Sequence, residues 1–77
     1  MTAERVRAIW CEELQRDDIR ADDDFFALGG NSVVLVRIQG AYVEELGAEV
    51  PMDQMFLHPT VASISAYIES QAAATAP

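Results

Sequence analysis

Gly29-Gly30-Asn31-Ser32-Val33-Val34-Leu35-Val36-Arg37-Ile38-Gln39-Gly40-Ala41-Tyr42-Val43-Glu44-Glu45-Leu46-Gly47 is the stretch on which the fold turns. Val33-Val34-Leu35-Val36 taken alone reads equally well as a strand. The apolar positions then continue through Ile38, Tyr42 and Leu46 at helical spacing, and the segment closes on Glu44-Glu45-Leu46-Gly47. That continuation predicts a helix over about 32–46. Two glycines permit a tight turn with a bare backbone before it. Asn31 or Ser32 then caps the helix, and Gly47 supplies the residue that ends it. Four consecutive apolar side chains cannot all face one core. At least one should be exposed, and an exposed apolar residue beside a turn is a contact point for a partner.

The rest of the chain also reads as helical. Val6, Ile9, Trp10 and Leu14 form the stripe of an amphipathic helix at about 3–15, with Thr2 as its cap and Glu4 in its first turn. Residues 16–31 read as a long loop, because Asp17, Asp18, Asp22, Asp23 and Asp24 repel one another on a helix. Ile19 plugs the core, while Phe25, Phe26 and Leu28 pin the far end of the loop in a single helical turn capped by an aspartate. Met52-Asp53-Gln54-Met55-Phe56 allows one short turn, which His58-Pro59 breaks. Thr60 caps a last helix striped by Val61, Ile64, Tyr67 and Ile68, ending near Ser70. The predicted fold is an all-α four-helix bundle: three main helices, one short helix and a long first loop. Residues 1–70 form the domain, and 71–77 a flexible tail or linker. Leu35, Ile38, Leu46, Val61, Ile64 and Ile68 are assigned to the core.

Composition narrows the function. In 77 residues, thirteen acids against five bases leave a net charge of −8, and all five bases are arginine. A field of that sign repels phosphate backbones and anionic lipid, so nucleic acid and membrane surfaces are not expected partners. Partners with basic faces are favoured. No apolar run approaches the roughly 20 residues of a membrane span. The N-terminus lacks the pattern of a signal peptide, and the single cysteine fits a reducing, cytoplasmic setting. Cys11 reads as a half-buried filler between acids, and His58 as a structural or solvated side chain. Together they are too few for a zinc site. The aspartate run lacks the later glycine and glutamate of an EF-hand loop. The glycine pair is not a phosphate loop, having no lysine after it and no strand before it. No catalytic constellation is present.

Ser32 remains. Its plain reading is a helix cap. Its functional reading is a hydroxyl displayed at a helix N-terminus on a glycine turn, where a phosphodiester is electrostatically favoured. Asp22-Asp23-Asp24-Phe25-Phe26-Ala27-Leu28-Gly29-Gly30-Asn31-Ser32 closely resembles the signature around the modified serine of thiolation domains, the peptidyl carrier proteins of nonribosomal peptide synthetases. The resemblance covers roughly residues 4–70 and includes the spacing to Gly47, Val50-Pro51 and Phe56…Pro59-Thr60-Val61. The family often has His or Asp where Asn31 stands, and a larger aliphatic where Val33 stands. Both departures leave the hydroxyl and the turn in place.

The resemblance implies a phosphopantetheine arm, derived from coenzyme A and joined to Ser32 Oγ by a phosphopantetheinyl transferase. It implies a non-catalytic monomer that holds aminoacyl or peptidyl groups as thioesters for adenylation, condensation, thioesterase or tailoring enzymes in antibiotic-type biosynthesis. The expected contact residues are Val33, Val36 and Arg37, with Met52 and Met55 near the short helix; the alternative is that Val36 and Met55 are simply core residues. Two alternatives stand beside this reading. One is an acyl carrier of polyketide or fatty-acid synthesis. The other is an unmodified helical docking module in which Ser32 is only a cap.

Overall fold

The computed structural model describes the backbone of residues 2–75 and the side-chain exposure of residues 2–72. Helices α1 (Thr2–Leu14), α2 (Ser32–Ala41), α3 (Met52–Leu57) and α4 (Val61–Thr75) make up the domain, with no strand among the described residues. The all-α prediction holds. α1 packs against both α2 and α4, and α3 closes on α2. Val6, Ile9, Trp10, Leu35, Ile38, Val61, Ile64 and Ile68 meet in one buried core. No helix among the described residues is long and apolar enough to cross a membrane.

The helix ends depart from the sequence reading in instructive ways. Thr2 already lies inside α1 and so does not flank it as a cap. α1 stops at Leu14 because Gln15 turns left-handed (φ 55°), letting the Arg16 amide donate back to the Cys11 carbonyl at 3.0 Å. That is the C-terminal hydrogen bond usually licensed by glycine, here made without one. The helix predicted over 32–46 is α only to Ala41, and Tyr42–Leu46 winds as a π-helical turn. Gly47 closes it at φ 62°, with the Ala48 amide donating to the Tyr42 carbonyl. Residues four apart share a face in either winding, so apolar spacing does not separate the two. α4 continues to Thr75 rather than ending near Ser70. Its apolar stripe ends at Ile68, but Gln71-Ala72-Ala73-Ala74 are strong helix formers and nothing stops them. Ala76 and Pro77 lie outside the described residues.

Thr60 caps α4 as predicted. Its Oγ1 accepts the Ser63 amide at 3.1 Å, and Ser63 Oγ accepts the Thr60 amide in return. This is a capping box in which serine replaces the usual glutamate.

The long first loop is tied down at many points. Arg7 donates to the carbonyls of Ile19 at 2.6 Å and Asp17 at 3.0 Å, which turns Ile19 inward to 1% exposure. The Ala62 amide donates to Ala21, and the Phe25 amide to Pro59. The loop is thus fastened to the start of α4 and to the connector before it.

A buried polar pair links α1 to the π-helical turn. Trp10 Nε1 donates to the Tyr42 hydroxyl at 2.8 Å, and Tyr42 is fully buried. Burial pushes the Tyr42 hydroxyl up to about 12, against the smaller opposing pull of the Trp10 N–H. Between about pH 10 and 12 the unfolded chain has released this proton while the folded chain still holds it. The unfolded state then binds fewer protons, so stability falls as pH rises. Urea unfolding from pH 9 to 11.5 should show that fall, worth up to about 2–3 kcal/mol. Tyr42→Phe should flatten the slope while costing about 1–3 kcal/mol at neutral pH, because it leaves the Trp10 N–H buried and unpaired. An unchanged slope in Tyr42→Phe would assign the pH effect to another group.

Candidate functional site: the serine at the start of α2

The segment that presents Ser32 is built in three steps. First, Asp24 Oδ1 accepts the amides of Phe26 at 2.8 Å and Ala27 at 3.2 Å. This caps the single turn closed by Leu28 onto Asp24 and Gly29 onto Phe26. Second, that turn drives Phe25 into the core at 1% exposure, where its ring meets Trp10 edge-on at 5.3 Å. Third, the chain doubles back through Gly29, at φ 94°, and the Gly30 amide donates to the Phe25 carbonyl at 3.1 Å. Gly30 lies so close over the Phe25 ring that any Cβ there would fall inside it.

Asn31 then takes an extended conformation, and its side chain accepts the Val34 amide at 3.1 Å. Its carbonyl accepts the Leu35 amide, opening the helical ladder. The cap is therefore Asn31, and the alternative that Ser32 serves as cap is settled against. Ser32 is the first residue of α2 and is exposed. With the capping role filled by its neighbour, the Ser32 side chain is not needed to cap α2. The first turn of α2 contains no acid, so the partial positive charge of the helix N-terminus is not neutralised from within the helix. A phosphodiester on Ser32 Oγ fits this setting.

The predicted contact residues divide. Val33 (65% exposed) and Val36 (58%) face solvent, as does Arg37, which reaches toward Glu13 at a loose 3.9 Å. Met52 is half-buried against the core, and Met55 is buried. Met55 is therefore a core residue and not a contact point. Leu46, assigned to the core, is only half-buried against it. Phe26, assigned to pin the loop, is exposed, and that work falls to Phe25. Val43 was not foreseen. It is exposed and lies in line with Val33, Val36 and Gly40, the i, i+3, i+7, i+10 spacing of one helix face. Beside it an open groove of about 420 Å³ runs between Val36, Gly40, Val43, Val50 and Pro51. Gln39 Nε2 holds one wall by donating to the Val50 carbonyl at 2.7 Å.

Cys11 is half-buried as predicted, and the His58 ring stacks on Tyr67 at 5.5 Å. No group of His, Cys, Asp and Glu that could hold a metal ion occurs among the described residues.

Residues 4–68 match the family described as "Phosphopantetheine attachment site". The chain belongs to this family. It is 42% identical over 67 residues, 87% of its length, to surfactin synthase subunit 3 of Bacillus subtilis strain 168, of which it covers 5%. The chain thus spans a small fraction of the length of the curated relatives it matches. Among solved structures, it superposes with a TM-score of 0.86 on BlmI, a type-II acyl-carrier protein from Streptomyces verticillus involved in bleomycin biosynthesis. Identity there is 31%, covering 91% of this chain and 84% of that one. A nonribosomal PCP domain matches with a TM-score of 0.72 and 39% identity over 86% of each chain. This carrier domain thus groups with the thiolation domains of nonribosomal peptide synthetases, a family whose phosphopantetheine is covalently attached.

Proposed function

We propose that Ser32 Oγ is the attachment atom, and that the domain is a substrate of a phosphopantetheinyl transferase rather than a catalyst. When bound, the arm supplies a terminal thiol that holds an aminoacyl or peptidyl group as a thioester. The chain's own residues do the rest. Asn31 fixes the start of α2, and the Gly29-Gly30 turn keeps bulk away from Ser32 so that an enzyme surface can approach. The N-terminus of α2, with no acid in its first turn, would favour the negative charge of a phosphodiester on Ser32. Val33, Val36, Val43 and Arg37 offer a small, modestly apolar face suited to brief contacts with several enzymes in turn. The partners on this reading are the transferase, then adenylation, condensation, thioesterase or tailoring enzymes. The domain works as a monomer in the cytoplasm and occupies residues 1–70, with the helical residues 71–75 continuing α4 out of it as the start of a linker.

The observation that carries this reading is the exposed Ser32 beside a cap supplied by Asn31. Incubation with coenzyme A and a broad-specificity transferase should add one phosphopantetheine by intact mass, mapped to Ser32 by peptide fragmentation. A folded protein with no mass gain would sink the reading. Loading of the product by an adenylation enzyme, and not by malonyl donors, would separate a peptide carrier from a polyketide or fatty-acid carrier.

A further inference from the structure

The end of α1 reaches the turn that presents Ser32 through one side chain. The Arg16 amide closes α1 onto the Cys11 carbonyl at 3.0 Å, so its backbone is fixed before its side chain is placed. Its guanidinium then forks onto Asp18, with Nε 2.9 Å from one carboxylate oxygen and Nη2 2.8 Å from the other. Two parallel bonds fix the guanidinium plane. Nη1, the nitrogen left over, donates to the Leu28 carbonyl at 3.3 Å. By its hydrogen bond, Arg16 also holds the Asp18 carboxyl below the usual carboxylate range, so the pair stays charged near neutral pH.

The Leu28 carbonyl is a sensitive point to hold. It belongs to the rigid peptide plane between Leu28 and Gly29, and the orientation of that plane sets φ at Gly29. Glycine takes positive and negative φ about equally, so nothing intrinsic to Gly29 selects its 94°. The plane is held from its two sides instead. The Gly29 amide donates to the Phe26 carbonyl at 3.2 Å, and the Leu28 carbonyl accepts from Arg16. No backbone amide donates to that carbonyl among the described residues. The first bond lies within the turn it stabilises, whereas the second comes from a separate element. Turning the plane over breaks both, carries Gly29 out of the left-handed region and misdirects the chain before Asn31.

We infer that Arg16 is a positioning residue for Ser32. It locks the Leu28–Gly29 peptide in the orientation from which the turn presents the hydroxyl, and Asp18 holds its guanidinium in place. The inference rests on the carrier reading of Ser32. Arg16 bonds to Asp18 and Leu28 and not to Ser32, so it acts on the fraction of molecules that present the serine correctly. That action has a kinetic signature. The apparent KM rises by the inverse of the competent fraction, while saturating carrier leaves kcat unchanged.

The test is the initial rate of phosphopantetheine transfer from coenzyme A by a broad-specificity transferase. Arg16→Ala should raise KM for the carrier about fivefold with kcat little changed. Arg16→Lys should do the same, because an ammonium is a point charge that cannot fork onto Asp18 and still reach Leu28. Arg20→Ala removes the same charge from the same loop at an exposed side chain, and should keep the wild-type KM. Amide exchange followed by NMR should speed up at Gly29 in both Arg16 variants and stay unchanged at Ile38 in the core. The unfolding midpoint should move little, because the Arg16 and Asp18 side chains are 37% and 62% exposed. KM within about twofold of wild type in both Arg16 variants, or an equal rise in Arg20→Ala, overturns the inference. So does unchanged exchange at Gly29. Failure of the wild type to gain mass at Ser32 overturns the carrier reading, and exchange at Gly29 then still decides whether Arg16 holds the turn.

Discussion

Ser32→Ala should lose the phosphopantetheine mass gain completely and keep its unfolding midpoint nearly unchanged. Sequence alone attaches a capping cost of about 1 kcal/mol to this substitution, because serine is a favoured cap. The structure moves that cost to the neighbouring residue. Asn31 accepts the Val34 amide, and Ser32 is already inside the helix, where alanine is a good helix former. Asn31→Ala should therefore lose about 1 kcal/mol, or about 4–8 °C in a domain of this size, and modification should slow as the start of α2 loosens. The pair of variants separates chemistry from structure: one abolishes modification without unfolding, and the other destabilises while the acceptor oxygen remains. Residual mass gain in Ser32→Ala would mean a different nucleophile. A large loss of stability in Ser32→Ala, with Asn31→Ala silent, would return Ser32 to a structural role.

The sequence was most informative where local chemistry decides the outcome. Val6, Ile9 and Trp10 bury together because their spacing leaves one apolar face, and Thr60 caps α4 because a hydroxyl ahead of a helix has a free amide to accept. Ile19 was legible as a core residue because it is the one aliphatic side chain set among aspartates. Features requiring knowledge of what lies across the chain were hidden. Met52 and Met55 have the same side chain on one short helix, yet Met55 faces α2 and the core while Met52 is half-exposed. Phe25 and Phe26 are adjacent and chemically identical, and the direction of one turn, set by Asp24, sends one inward and one outward. The left-handed Gln15 leaves no mark in composition, since it is the Arg16-to-Cys11 hydrogen bond and not a glycine that selects it.

The exposed position of Ser32 at a helix start was legible, because a glycine pair before a helix start is a local pattern. Its support was only partly so. The sequence explains both glycines by conformational freedom. The structure assigns that reason to Gly29 alone, at φ 94°, and gives Gly30 a different one.

Gly30→Ala should be the most damaging conservative change in the presenting turn. The backbone at Gly30 does not need a left-handed conformation, so the objection is one of space. The new methyl would fall on the Cε2, Cζ and Cδ2 edge of the Phe25 ring. That ring is 1% exposed and flanked by Trp10 and Phe26, each at 5.3 Å, so it has little room to yield. Overpacking of this kind costs about 1–3 kcal/mol or more. The shift also breaks the Gly30-to-Phe25 hydrogen bond that returns the chain toward Asn31, so modification of Ser32 should slow together with the loss of stability. Gly29→Ala makes the contrast. A Cβ there meets open space, and its cost is the conformational one of about 1–2 kcal/mol. Truncating the ring distinguishes the two mechanisms. Phe25→Ala alone should cost about 3–5 kcal/mol. Combined with Gly30→Ala, the total should fall short of the sum, because the methyl then enters space the ring has vacated. Combined with Gly29→Ala, the costs should add. Strict additivity in the Gly30 pair would show that the glycine is there for its backbone after all, and that the turn presenting Ser32 is not seated on Phe25.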